Sequence, residues 1–184
     1  STFRYDSSYW TSTSTYNDNS YGRDGGLDSR QFKGSTYWTT PFKEICVGMR
    51  YNGELRAFSF SYTASSLYSL IADGRYRETH LRRYKWKSLI NGSSLQSNCN
   101  QEGFNVYSSD SRYIKVRLGI VGNDHINCVS TNSFVGMGTA GGLNYDSSWC
   151  GTSYTSTNAA GNLAQCSADN GNKNTRAMAY ILVR

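Results

Sequence analysis

From Phe42 onward the chain changes from irregular to patterned. Ile45, Val47, Met49 and Tyr51 alternate with polar or small residues, Asn52-Gly53 follows, and Phe58, Phe60 and Tyr62 alternate again. A period of two marks a half-buried strand, and Asn-Gly supplies two residues that tolerate positive φ, so a β-hairpin is predicted over 42–62. The period then changes. Leu67, Leu70 and Ile71 follow Ser65-Ser66 at helical spacing, with Gly74 beyond as a stop. A second helix is predicted from Thr79 to Ile90, presenting Leu81, Trp86, Leu89 and Ile90 and ending at Asn91-Gly92. Ile114, Val116, Leu118 and Ile120 alternate as a strand, and Ala177–Val183 gives a last strand, expected at the centre of its sheet. Residues 1–40 are rich in Ser, Thr, Tyr, Asp, Asn and Gly and read as irregular, anchored by Trp10 and Trp38. No repeat or linker intervenes, which predicts a single domain over 1–184. The expected class is α+β, a twisted and mainly antiparallel sheet with short helices and long loops.

Composition narrows the setting. The 184 residues suffice for a buried core, and 14% aromatics argue against disorder although only 17% of residues are charged. Abundant Ser, Thr, Asn, Gly and Tyr, with a start at Ser1, read as a processed, secreted protein. No apolar run approaches the ~20 residues of a membrane helix. Asn91-Gly92-Ser93 is an N-glycosylation acceptor pattern. The net charge of +6 weakly favours anionic partners such as acidic glycans, phosphate surfaces or nucleic acid.

Five cysteines, Cys46, Cys99, Cys128, Cys150 and Cys166, include no CxxC pair, which argues against zinc ribbons and thioredoxin-type sites. In an oxidising compartment they sum to two disulfides and one leftover. A bridge between Cys128 and Cys150 would contribute about 3 kcal/mol by loop closure. Cys46 and Cys99 are candidates for the second bridge, although spacing does not reveal connectivity. The leftover thiol is either buried and free or joins two chains into a homo-oligomer.

The densest ligand chemistry lies between Gly119 and Gly151, read as one long loop after a strand. It carries Asn123, Asp124, His125, Asn127 and Asp146, and the aromatics Tyr145, Trp149 and, just beyond, Tyr154. Hard oxygen donors suit calcium, an ion that can exchange water for a sugar diol, and aromatic faces suit the apolar side of a sugar. The competing reading is a loop of Asx turns held by a disulfide. A smaller group, Asp18, Asn19, Asp24 and Asp28, has glycines like a calcium loop but neither a bidentate Glu nor flanking helices. Arg75, Arg77, Arg82, Arg83, Lys85 and Lys87 interleave with Tyr76, Tyr84 and Trp86, either as an anion-gripping surface or as a solvated face over core aromatics. With two histidines and no Gly-x-Ser-x-Gly elbow, acyl transfer has no support, and no spacing pairs Glu44, Glu54, Glu78 or Glu102 for glycoside cleavage. The chain reads as non-enzymatic.

Several longer motifs carry a resemblance. Thr36-Tyr-Trp-Thr-Thr-Pro-Phe-Lys-Glu-Ile-Cys-Val-Gly-Met49, Ala64-Ser-Ser-Leu-Tyr-Ser-Leu-Ile-Ala-Asp-Gly74, Trp86-Lys-Ser-Leu-Ile90, Asn98-Cys-Asn-Gln-Glu-Gly-Phe-Asn105 and Tyr180-Ile-Leu-Val-Arg184 resemble the fibrinogen-like secreted proteins of cnidarians known as skeletal organic matrix proteins. More remotely, the C-terminal third is similar to intelectins and other fibrinogen-related lectins. Aligned on Cys128, Asn123 falls where intelectins use an asparagine calcium ligand, whereas Ile126 takes the place of their ligand histidine. Related matrix proteins carry a cysteine where this chain has Thr131, which implies a substitute role for Cys166. The resemblance implies a fibrinogen-like C-terminal domain and a secreted lectin that recognises carbohydrate, calcium-assisted. The alternative it implies is a skeletal or extracellular matrix or carrier protein without sugar binding. Neither reading expects nucleic acid as partner.

Overall fold

The hairpin forms as the alternation predicts. β1 (Phe42–Tyr51) and β2 (Glu54–Ala64) pair antiparallel from Tyr51 opposite Glu54 back to Phe42 opposite Ala64. Asn52 at φ 48° and Gly53 at φ 79° make the tight turn whose twist matches the strands. The computed structural model describes residues 2–18, 27–109, 114–141 and 156–184. Among them lie two antiparallel sheets and a few short helices, so the α+β class holds in that coarse form. No helix among the described residues is long and apolar enough to cross a membrane.

After the hairpin comes α2 (Leu67–Ile71), preceded by a single-turn α1 (Thr36–Thr39) in the N-terminal segment. The Ser66 hydroxyl caps α2 by accepting the Ser69 N–H at 3.1 Å, and Leu67, Leu70 and Ile71 are buried. The second predicted helix is shorter than its pattern: α3 covers only Arg83–Lys87. His80 and Arg82 adopt positive φ, 55° and 74°, so that 79–82 wraps a buried carboxylate. Glu102 accepts from Thr79 Oγ1, the Leu81 and Arg82 N–H groups and Trp86 Nε1, at 2.7 to 2.9 Å. A charged acceptor meeting four donors outweighs the helical preference of those residues.

The five-stranded sheet has the order β3-β4-β5-β6-β7, with β3 Asn98–Tyr107, β4 Lys115–Asn123, β5 Ser133–Ala140, β6 Ala160–Ala164 and β7 Lys173–Arg176. β5 corrects the reading of 119–151 as one long loop. Ser133–Ala140 is a fully buried strand at the centre of this sheet. Glycines on β5 and β4 permit their close approach: a Cβ on Gly136 would lie 2.9 Å from the Leu118 carbonyl oxygen, and one on Gly119 2.4 Å from that of Val135. Phe104, Leu118, Ile120, Val135 and Met137 join Ile45, Val47, Met49 and Trp86 in the main core, while Val106, Ile114, Val116, Val121, Phe134 and Leu163 form a second cluster.

The last strand, β8 (Met178–Val183), pairs with β1, giving a three-stranded sheet ordered β2-β1-β8. It therefore lies at an edge rather than at the centre, and β1 takes the middle. Its side chains Ala179, Ile181 and Val183 pack against the core, which is what their apolar character reported.

The disulfide pairing also differs from expectation. Cys99 is bonded to Cys128 with Cα atoms 5.3 Å apart, and Cys46 is free. Cys128 is thus not bridged to Cys150, nor Cys46 to another cysteine. The cause is topological: β3 and β4 run antiparallel with Asn98 opposite Asn123, which carries Cys99 to the turn that follows β4. Cys166 is itself disulfide-bonded, and Cys150 lies outside the described residues.

Candidate ligand cleft

The N-terminal segment is ordered by its aromatics. Phe3, Tyr9, Trp10 and Tyr16 cluster with ring centroids 5.1 to 6.0 Å apart. Trp10 is buried, donates from Nε1 to Arg4 O at 2.9 Å, and receives the Tyr37 hydroxyl on its own carbonyl at 2.8 Å. Trp38, expected as the second anchor, is only partly buried; its neighbour Tyr37 is the buried ring, and burial pushes its hydroxyl well above the ordinary tyrosine pKa. Arg117 ties this segment to the sheet, donating to Tyr5 O at 2.9 Å with its guanidinium 4.1 Å from the Tyr5 ring centroid.

Lys33 is the unusual member. It is 6% exposed, its Nζ donates to Ser12 O at 2.7 Å, and the rings of Tyr37, Trp38 and Tyr9 stand 4.6, 5.4 and 5.8 Å from it. Burial lowers its pKa to about 8. Rings supply part of the stabilisation that water would give the ammonium.

Between this segment and β8 runs a cleft of about 700 Å³. One wall is residues 29–34; the opposite wall is the continuous stretch Ala177–Val183; Trp10, Tyr37, Leu67 and Met137 close the bottom. A latch fixes the walls relative to one another: the Tyr180 hydroxyl donates to Asp28 O at 2.6 Å, and Arg50 donates to Leu27 O at 3.1 Å. Arg30, Lys33 and Arg176 contribute positive charge, and among the described residues no Asp or Glu lines the space. Volume, aromatic surface and a few converging polar groups are the features of a small-ligand or peptide site.

The residues singled out in sequence lie elsewhere. Asn123 ends β4 fully buried; its Nδ2 donates to Asn127 O at 2.8 Å and its Oδ1 accepts the Asp124 N–H at 3.0 Å. Asn127 Oδ1 accepts from Asn123 and from the Val129 N–H, and Asp124 O accepts from Asn98 at 2.7 Å. Asp124 and His125 are exposed, 3.9 Å apart. This is Asx-turn chemistry stapled by Cys99–Cys128. Calcium needs six to eight oxygens, whereas the described donors bring a single carboxylate, Asp124, and amide oxygens already hydrogen-bonded within the turn; they do not by themselves make a calcium cage. Among the described residues no three His, Cys, Asp or Glu side chains converge. Asp146, Tyr145, Trp149 and Tyr154 lie outside the described residues, as do Asn19 and Asp24; of the two that remain, Asp18 lies beside Gly34 and Asp28 accepts the Arg30 N–H in a local turn. The turn sits at the Ser133 end of β5 and the cleft at the Gly138 end, so the structure does not bring them together.

The basic-aromatic segment is largely neutralised. Trp86 is buried, Arg77 binds Asp73, Arg83 and Lys87 share Asp169, and Lys85 lies over the Phe58 ring. Tyr84, 75% exposed, is its one large free aromatic face among the described residues. The four glutamates do not act together: Glu44 pairs with Arg184, Glu54 with Arg56, Glu78 with His80, and Glu102 holds 79–86. Asn91 is exposed just beyond α3, the placement an acceptor requires.

No protein-family model matches the chain, and no curated protein or solved structure matches it either.

Proposed function

We propose that this is a secreted, non-enzymatic binding protein, lectin-like in kind, that takes an acidic extracellular ligand into the cleft between residues 29–34 and β8. The observation that carries this reading is the lining itself: among the described residues, aromatic and aliphatic surface with Arg30, Lys33 and Arg176 and no carboxylate. Aromatic faces suit the C–H side of a sugar ring, and Arg176 suits a uronate or sulfate group. The resemblance to fibrinogen-like matrix proteins and fibrinogen-related lectins supports the same setting. A matrix or carrier role is the second reading, favoured by the edge of β8 that borders the cleft and, among the described residues, has no strand partner.

An array of acidic and neutral glycans, probed with and without chelator, tests the lectin form. Binding to acidic glycans that R176E abolishes is the expected result, and any loss on chelation shows that a divalent cation contributes. Equal silence towards acidic and neutral glycans would remove carbohydrate from the reading.

A further inference from the structure

Beyond Ala177, whose N–H donates to Ala160 O at 3.0 Å, the edge of β8 away from β1 is unpaired among the described residues. Glu44 and Arg184 exchange both backbone hydrogen bonds, at 3.0 and 3.1 Å. In an antiparallel ladder bonded and non-bonded pairs alternate, so the bonded pairs continuing from that one are Cys46 with Leu182, Gly48 with Tyr180 and Arg50 with Met178. The N–H and C=O groups of Ala179, Ile181 and Val183 therefore point away from β1. Among the described residues no strand pairs with that side. All three residues line the cleft, together with the rest of the strand.

We propose that the cleft accepts an extended acidic peptide, which adds to β8 as a fourth strand of the β2-β1-β8 sheet. This rests on the reading of the cleft as the site of an acidic ligand and names a peptide, in place of a glycan, as its occupant. A row of outward N–H and C=O groups is complemented by another strand, two residues per repeat, in a way that neither a sugar ring nor an acyl chain reproduces. Charge selects the sequence. Arg176 stands at the start of the strand, Lys33 lies on the facing wall, and among the described residues the lining holds no carboxylate, so acidic side chains alternating with apolar ones fit. The same charges disfavour a second copy of this chain: antiparallel pairing of two β8 strands would set Arg176 of one copy towards Arg184 of the other in a protein of net charge +6.

The test uses the full chain and a capped peptide, as long as β8, alternating valine with aspartate. Titration calorimetry should show binding that weakens with salt and is lost when lysine replaces aspartate. N-methylation of the peptide amides that would face β8 should weaken binding at least tenfold, and amide exchange at Ala179, Ile181 and Val183 should slow on binding. Ala179→Pro removes one outward N–H while leaving the bonds to β1 in place, and should weaken binding similarly; the N-methyl peptide gives the same answer on the unaltered protein should that variant fail to fold. Equal affinity for the methylated peptide, or unchanged exchange at the three amides, overturns strand addition. An oligogalacturonate that binds and is lost in R176E, with no peptide binding, overturns the peptide and leaves the cleft reading standing. Silence of both probes overturns both.

Discussion

Glu102 shows how one side chain redirects local structure. Its carboxylate is 4% exposed and meets four donors, so it fixes 79–82 in positive-φ turns and orients the fully buried Trp86. In the sequence it is one acidic residue among several, because nothing in its spacing announces the donors that converge on it. E102Q keeps the shape but sets an NH2 group against N–H donors; a loss of about 2–4 kcal/mol is expected, read as a lower urea midpoint with unchanged slope. Lys33 supplies a second residue-scale prediction. Its folded pKa of about 8 lies below the ordinary 10.5, so the unfolded chain binds more protons between those values. Stability should therefore rise with pH across that window, and K33M should flatten the rise between pH 8 and 9.5 in thermal melts.

At the scale of elements, periodicity was a sound guide wherever an element is local. The 42–62 hairpin and α2 form where alternation, turn residues and cap place them. It failed where partners are distant in sequence. β5 is composed of glycines and apolar residues that resemble loop when viewed alone, and becomes a strand because β4 and β6 flank it. The Cys99–Cys128 bridge follows from strand pairing, with 29 residues separating its ends. Removing it as C99A/C128A should cost about 3.5 kcal/mol by loop-closure entropy, measured as a shift in the urea midpoint. The turn at 123–131, whose amides are hydrogen-bonded to one another, should then show faster amide exchange than the sheets.

Across the whole molecule, Asp169 gathers segments far apart in the chain. It sits in the connection between β6 and β7, pairs with Arg83 and Lys87 of α3, and accepts the Leu95 N–H at 3.0 Å. Burial alone would raise its carboxyl pKa, but hydrogen bonds from Lys87, Leu95 and Arg83 outweigh it and hold it at about 2. A depressed carboxylate stabilises the fold above its ordinary value of 3.8 and loses that contribution as pH falls towards 2. The thermal midpoint should drop over that range, and D169N should lower it at neutral pH while making the acid loss shallower. Of the functional picture, the sequence made visible a basic, cysteine-bearing chain with an aromatic N-terminal segment, and it marked 123–127 as candidate calcium ligands with a loop of Asx turns as the competing reading. It did not mark the cleft. Phe3, Phe32, Lys33, Arg176 and Tyr180 are scattered from one terminus to the other, and only an excess of aromatics before Trp38 hinted that residues 1–40 cover something. By itself the chain determined its local elements, since alternation, caps and turn residues act over a few positions. The tertiary structure alone decided which strand is central, which cysteines meet and where an open edge borders a cavity, because each depends on segments brought together only by packing.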